Sequence, residues 1–210
     1  MTKALIFDMD GVIINSEPLW KKAIIEVMRH YGYEFDIEMC NRTKGMRIDE
    51  VTLFWKKELN SDFDYMKVAD EIIEELIVMI NREGKIMPGV LKTIESATKN
   101  NLKIALASSS SLKIIESVLN KLSIKKYFEA IKSAENEEYG KPHPQVFIST
   151  AQQLNVLPEE CLVIEDSING VIAAKAAKMT VIAVPEKEEI HLPQFSIADK
   201  VLENLTQLTF

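Results

Sequence analysis

The sequence is poor in the features that hold a chain in a membrane or staple it in an oxidising compartment. It has two cysteines, Cys40 and Cys161, far apart and without the spacing of a metal site. Cys161 lies in the apolar string CLVIE and reads as a buried, reduced thiol, which fits a reducing cytoplasm. No stretch approaches the roughly 18 uninterrupted apolar residues of a membrane span. The apolar run before Asp8 is too short to read as a signal peptide, so the expected location is cytoplasmic. Positive charge is also scarce: 25 Lys and Arg stand against 32 Asp and Glu, a net charge of −7. The basic residues are dispersed, not striped, which argues against nucleic acid or an anionic membrane as a main partner. A small anionic substrate remains compatible, because a local site can be positive on an acidic protein. The three histidines, His30, His143 and His191, sit where neither a ligand nor a general base is expected. No GxGxxG follows the first apolar run, which sets aside a dinucleotide-binding redox protein.

What is present is a globular pattern, 47% hydrophobic and 27% charged, long enough for one domain with a smaller second one. Five short apolar runs, ALIF (4–7), KIALA (103–107), EAIKS (129–133), CLVIE (161–165) and TVIAV (180–184), read as strands buried on both faces. EAIKS is the weakest of them. Helical patterns separate the later ones, and the alternation predicts an α/β fold with a Rossmann-like parallel sheet. Residues 15–86 break this rhythm and read as helices only, with Ser16 as a cap for the first and Pro18 in its first turn. The expected organisation is a discontinuous α/β core, 1–14 and 87–210, interrupted by an all-helical cap domain over 15–86.

Polar residues cluster at the ends of the strands. The first strand ends on Asp8 and Asp10, the second on the Ser108–Ser111 run, and the fourth on Glu165 and Asp166; GKPHP (140–144) adds Lys141. Ligands of open parallel sheets bind beyond those carboxyl ends. Each piece has an ordinary reading: a helix cap for the serines, a turn lysine for Lys141, a strand end for Glu165-Asp166. A calcium loop would need a third acid that DMDG lacks. Together, in this order, they compose a phosphoryl-transfer site. Asp8 can be the nucleophile, but a carboxylate approaching a phosphate meets about 4 kcal/mol of repulsion per charge pair at 4 Å and an effective dielectric of 20. Oxygen ligands from Asp8 and Asp166, with a backbone carbonyl of the loop, suit Mg²⁺, which offsets that repulsion. Lys141 adds positive charge, Ser108 and the Ser109 N–H hold phosphate oxygens, and Asp10 serves as general acid and then general base.

DMDG after the first strand, SS after the second, GKPHP, and EDSINGV after the fourth resemble the haloacid dehalogenase superfamily over essentially the whole chain. The likeness is nearest to its sugar-phosphate phosphatases and β-phosphoglucomutases, and SEPLW with GMRIDEV resembles the 2-deoxyglucose-6-phosphate (hexitol) phosphatases. The resemblance implies an aspartyl phosphate on Asp8 and a Mg²⁺ held by Asp8, the Asp10 backbone carbonyl and Asp166, with Glu165 acting through water. It implies phosphoryl binding by Ser108, Ser109 and Lys141, and substrate contact by Asn169. The expected substrate is a small phosphorylated metabolite, a sugar or sugar-alcohol phosphate, hydrolysed by a monomeric enzyme. β-Phosphoglucomutase is the chief alternative, although that family carries a cap histidine where this chain has Trp20. A phosphonatase, whose cap lysine would be Lys21 or Lys22, and a non-catalytic Mg²⁺- or phosphate-binding module stand behind it. Dehalogenation has no use for Asp10.

The cap is expected to read the non-phosphate end of the substrate through Glu17, Trp20, Gly45 and Arg47. An aromatic ring and a guanidinium fork suit a polyol face. Trp20 has packing within the cap, beside Ile24, as its alternative role, and Arg47 that of flanking a helix start. The linkers near 14–16 and 85–90 are the expected hinges.

Overall fold

The computed structural model describes residues 1–208, and among them no helix is long and apolar enough to cross a membrane. Five strands lie where the apolar runs predict them: β1 (Ala4–Phe7), β2 (Lys103–Ser108), β3 (Ala130–Ser133), β4 (Cys161–Glu165) and β5 (Thr180–Ala183). A sixth, β6 (Lys200–Val201), extends the sheet at its edge, and all pairings are parallel in the order β3-β2-β1-β4-β5-β6. β1 is central, paired with β2 through Phe7↔Leu106 and with β4 through Phe7↔Ile164, so the three strands end side by side.

The continuous apolar runs are explained by burial on both faces. Leu5 and Phe7 point to one face with Leu106 and Ile164, under α5 (Val90–Lys99) and α6 (Leu112–Leu122). Ala4 and Ile6 point to the other, with Ala105, Ala107 and Ala183. Those alanines leave room for α7 (Gln145–Leu154) and α8 (Ile168–Ala176) to approach closely. α8 is largely apolar and buries Gly170, Val171, Ala173 and Ala174 against the sheet, while Ile172 on its other side is exposed.

Between β1 and α5 lie four helices and no strand: α1 (Glu17–His30), α2 (Ile37–Asn41), α3 (Ile48–Glu58) and α4 (Tyr65–Glu83). α4 packs on α1 and α3, with Val68, Ile72, Leu76 and Ile80 buried at helical spacing. The two connections to the sheet run side by side: Ile14 bridges Ile86 in antiparallel sense, Asn15 N–H donates to the Lys85 carbonyl and Met87 N–H to that of Ile13.

Candidate active site

The tip of β1 folds into a tight turn. The N–H groups of Ile13 and Ile14 donate to the Met9 carbonyl, and Gly11 adopts φ +73° with its N–H on the Ile14 carbonyl. Glycine is required at this position, because a Cβ there would overlap the Asp166 carboxyl group. This turn sends Asp8 and Asp10 to different partners, which answers how two acids one residue apart coexist.

Asp8 is buried, and its Oδ1 accepts a hydrogen bond from Lys141 Nζ at 2.6 Å. The same ammonium donates to Glu165 Oε1 at 2.6 Å and to the Ala107 carbonyl at 3.2 Å. Burial works against the charge of Lys141, but Asp8 and Glu165 outweigh it and hold its pKa above the ordinary lysine range. The Asp8 pKa also rises, but here because burial prevails: it lies well above the usual carboxylate range despite Lys141, with Glu165 and Asp10 adding to the rise. Glu165 is 0% exposed, and both its oxygens are committed, since Oε2 accepts from the Ser167 N–H and hydroxyl.

Asp10 turns away from this cluster. Its Oδ1 accepts from the Ser16 hydroxyl at 2.6 Å and the Trp20 indole N–H at 2.9 Å; its Oδ2 accepts from the Ser110 hydroxyl at 2.6 Å. Ser108 Oγ lies 3.5 Å away and accepts from the Ser110 N–H. Ser16 therefore does not cap α1 with its side chain, as the sequence suggested; its hydroxyl is spent on Asp10.

The acid cluster suits a hard cation. Asp8, Glu165 and Asp166 each offer an oxygen within 4.8 Å of the others. Asp166 Oδ2 is buried with no hydrogen-bond partner among the described residues, and burial raises its pKa well above the usual range. An unsatisfied buried carboxylate oxygen is costly unless something cationic meets it. The nearest side-chain cation is Lys44 Nζ, 3.5 Å away, which also pairs with Glu189 at 2.8 Å and Glu186 at 3.6 Å.

The helices after β1 roof a cleft over this cluster, lined by Asp8, Asp10, Ser108, Ser109, Lys141 and Asp166 below. Glu17, Trp20, Lys21, Ile24, Thr43, Lys44, Gly45 and Met46 line it above. Glu17 is 9% exposed; burial pushes its pKa up to about 7, opposed by Lys44. Two residues expected to contact substrate do not line the cleft. Arg47 is absent from the lining: its Nη1 donates to the carbonyls of Ala134 and Glu137, and its Nη2 pairs with Asp49 and Glu50. Asn169 is absent too, its amide donating to the Lys44 carbonyl at 3.3 Å. Gly45 lines the cleft, but its close approach is to protein: at φ +79° its missing Cβ leaves space against Ser167, and its carbonyl accepts from Ser109 Oγ. Ser16, Ser110 and Lys44 escaped the sequence reading, and only the adjacency of Ser110 to Ser108 hinted at any of them.

Comparison with known proteins agrees with this arrangement. The family described as haloacid dehalogenase-like hydrolase matches residues 5–184. Hexitol phosphatase B of Escherichia coli K12 is 40% identical over 211 residues, covering 98% of this chain and 94% of that protein. Fructose-1-phosphate phosphatase YqaB of the same strain is 34% identical over 184 residues, 86% of this chain and 95% of that one. Among solved structures, β-phosphoglucomutase (pgmB) from Clostridium difficile superposes with a TM-score of 0.86 at 30% identity, over 100% of this chain and 94% of that one.

Proposed function

The chain belongs to the haloacid dehalogenase-like hydrolase family, and on that footing we propose that it is a phosphatase of small sugar or sugar-alcohol phosphates working through an aspartyl phosphate on Asp8. The observation that carries the assignment is the separation of the two acids, Asp8 on Lys141 and Asp10 on Ser16, Trp20 and Ser110. Asp8 lies at the cleft floor, where Ser108 and Ser109 can receive a phosphoryl group and Lys141 balances its charge. Attack by an Asp8 oxygen on phosphorus forms the acyl phosphate, and the leaving alkoxide takes a proton from Asp10. Asp10, now a carboxylate, accepts a proton from the water that releases inorganic phosphate. Its three donors fix the carboxyl orientation for both transfers.

Asp8, Asp166 and the Asp10 backbone carbonyl are the groups that would hold Mg²⁺, with Glu165 supporting Lys141 and reaching the ion through water. When bound, the ion neutralises charge shared between nucleophile and phosphate. The helices of 15–86 act as a cap closing on a core of 1–14 and 87–210, and the two buried free thiols suit a cytoplasmic enzyme.

The likeness to a β-phosphoglucomutase keeps a second reading in view, in which the phosphoenzyme returns its group to sugar. ³¹P NMR with Mg²⁺ and a panel of hexose and hexitol phosphates separates the two. Inorganic phosphate growing from monophosphates, and lost in Asp8→Asn, supports the phosphatase. Conversion of β-glucose 1-phosphate to glucose 6-phosphate without free phosphate, given a trace of the 1,6-bisphosphate, would establish the mutase.

A further inference from the structure

We infer that this site is selective for monophosphates, with Glu17 as the residue that both accepts substrate hydroxyls and excludes a second phosphate. The inference rests on the phosphatase reading above and concerns what the far end of the cleft will tolerate.

It starts from the charges that face the cleft: Asp8, Asp10, Glu17, Glu165 and Asp166 against three lysines, 21, 44 and 141. Lys141 is spent on Asp8 and Glu165. Lys44 is spent on Glu189, with Asp166 and Glu186 close by, and Lys21 lies 3.7 Å from Glu186. No arginine lines the cleft, and Arg47, next to the lining residue Met46, has its terminal nitrogens on core carbonyls and its own acidic neighbours. No side-chain cation lining the cleft is left without a carboxylate partner.

Glu17 is the reverse case. It is nine-tenths buried and lines the cleft, and its carboxylate makes no hydrogen bond or ion pair with any described residue. A buried carboxylate in that condition needs donors. The hydroxyls of a sugar or polyol chain are donors and carry no charge. A second phosphate is an acceptor with two negative charges; beside an ionised Glu17 it would meet only Lys21 and Lys44, which act on Glu17 and are already shared with Glu186 and Glu189. The walls around it, Trp20, Ile24 and Met46, offer one indole N–H already given to Asp10 and otherwise apolar surface. A phosphoryl-shuttling mutase must bind its sugar bisphosphate in two orientations, so the same charge pattern also disfavours mutase turnover.

The test compares kcat/KM for sorbitol 6-phosphate and glucose 6-phosphate with that for glucose 1,6-bisphosphate and a hexitol 1,6-bisphosphate. It uses the full chain with Mg²⁺ at pH 8.5, where Glu17 carries its charge, with p-nitrophenyl phosphate as a reporter of basic phosphatase chemistry. The expected preference for monophosphates is about 100-fold or more, the scale of a buried like-charge contact. Glu17→Gln, which keeps shape and removes the charge, should shrink that preference by about 10-fold while raising KM for the polyol monophosphate. Equal kcat/KM for mono- and bisphosphates in the parent protein would overturn the inference and leave the phosphatase standing. An unchanged preference in Glu17→Gln would overturn the role of Glu17. Failure to hydrolyse any monophosphate, p-nitrophenyl phosphate included, would sink the underlying reading instead.

Discussion

Replacing Lys141 by methionine is the sharpest physical test of the site, because its cost can be bounded from both sides. The ammonium is held by Asp8, Glu165 and the Ala107 carbonyl, and its side chain is 1% exposed. Removing one partner from a buried ion pair costs about 3–5 kcal/mol. In Lys141→Met, Asp8 loses its only lowering influence and keeps burial, Glu165 and Asp10, which all raise its pKa. The variant escapes part of the penalty by protonating Asp8. Doing so at pH 7 from an unfolded value of about 3.9 costs 1.36 kcal/mol per unit, about 4 kcal/mol in all. An acid whose folded pKa is raised binds its proton more tightly when folded. Stability is therefore fully retained below the unfolded pKa and lost as pH climbs toward the folded one. The loss relative to the parent protein should be about 3–5 kcal/mol at pH 7 and smaller at pH 5, because an Asp8 already raised in the parent is raised further in the variant. Urea denaturation at both pH values, with chelator present so that no divalent cation contributes, measures it directly. A loss below about 1 kcal/mol at pH 7 would falsify the assignment of Lys141 as the charge that lets Asp8 and Glu165 be buried together.

Gly170→Ala should cost about 1–3 kcal/mol and disturb the site, because a Cβ there would overlap the Glu165 carboxyl, which is fixed by Lys141 and Ser167. An unshifted urea midpoint would show that Glu165 has room to move. Trp20→Phe removes one of the donors on Asp10 Oδ1 and should lower kcat about 10-fold with the phosphatase fold intact. A kcat within twofold of the parent would mean Ser16 and Ser110 suffice. Burial pushes the thiols of Cys40 and Cys161 up to about 11, so at pH 8 only about one in a thousand of each is thiolate. An aromatic disulfide reagent should titrate neither in native protein and both in denaturant; rapid native labelling would show that one is accessible.

β1, β2, β4 and β5 were legible because they are buried on both faces and written as apolar runs between turn residues, whereas β3, an edge strand half-buried at Ile131 and Lys132, gave the weaker run. β6 was not legible, since two edge residues, Lys200 and Val201, carry no run to recognise. The catalytic floor was legible for a similar reason: Asp8, Ser108, Asp166 and Lys141 follow strand ends or sit in a marked turn, and a parallel sheet brings such ends together. The roof was harder. Arg47 looked like a substrate fork, yet where a long side chain points depends on where its loop docks, and this loop docks on the carbonyls of Ala134 and Glu137. Asn169 failed in the same way, caught under the Lys44 carbonyl. Ser16 was hidden by a local alternative, since a serine before a helix reads first as its cap.

The geometry around Asp10 ties substrate enclosure to chemistry. One carboxylate oxygen is held from the helical side, by Ser16 at the entrance to α1 and Trp20 within it; the other is held from the sheet side, by Ser110 after β2. Neither set alone fixes the plane of the carboxyl group, because a carboxylate held at one oxygen still rotates about its Cβ–Cγ bond. Several of the contacts that bring the two sides together involve backbone: Ser109 to the Gly45 carbonyl, Asn169 to that of Lys44, Arg47 to Ala134 and Glu137, and the Gly140 N–H to Glu50; Lys44 and Lys21 add side-chain pairs to Asp166, Glu186 and Glu189. Backbone partners do not change when the cavity-facing side chains do. Residues such as Glu17, Ile24 and Met46 can therefore be altered to suit another substrate without loosening the closure that aims Asp10. Trp20 belongs to both the substrate wall and the donors on Asp10, but Glu17 makes no hydrogen bond to Asp10 or to those donors, so a change at Glu17 should alter which substrates are accepted more than it alters the pH profile of the step proposed for Asp10.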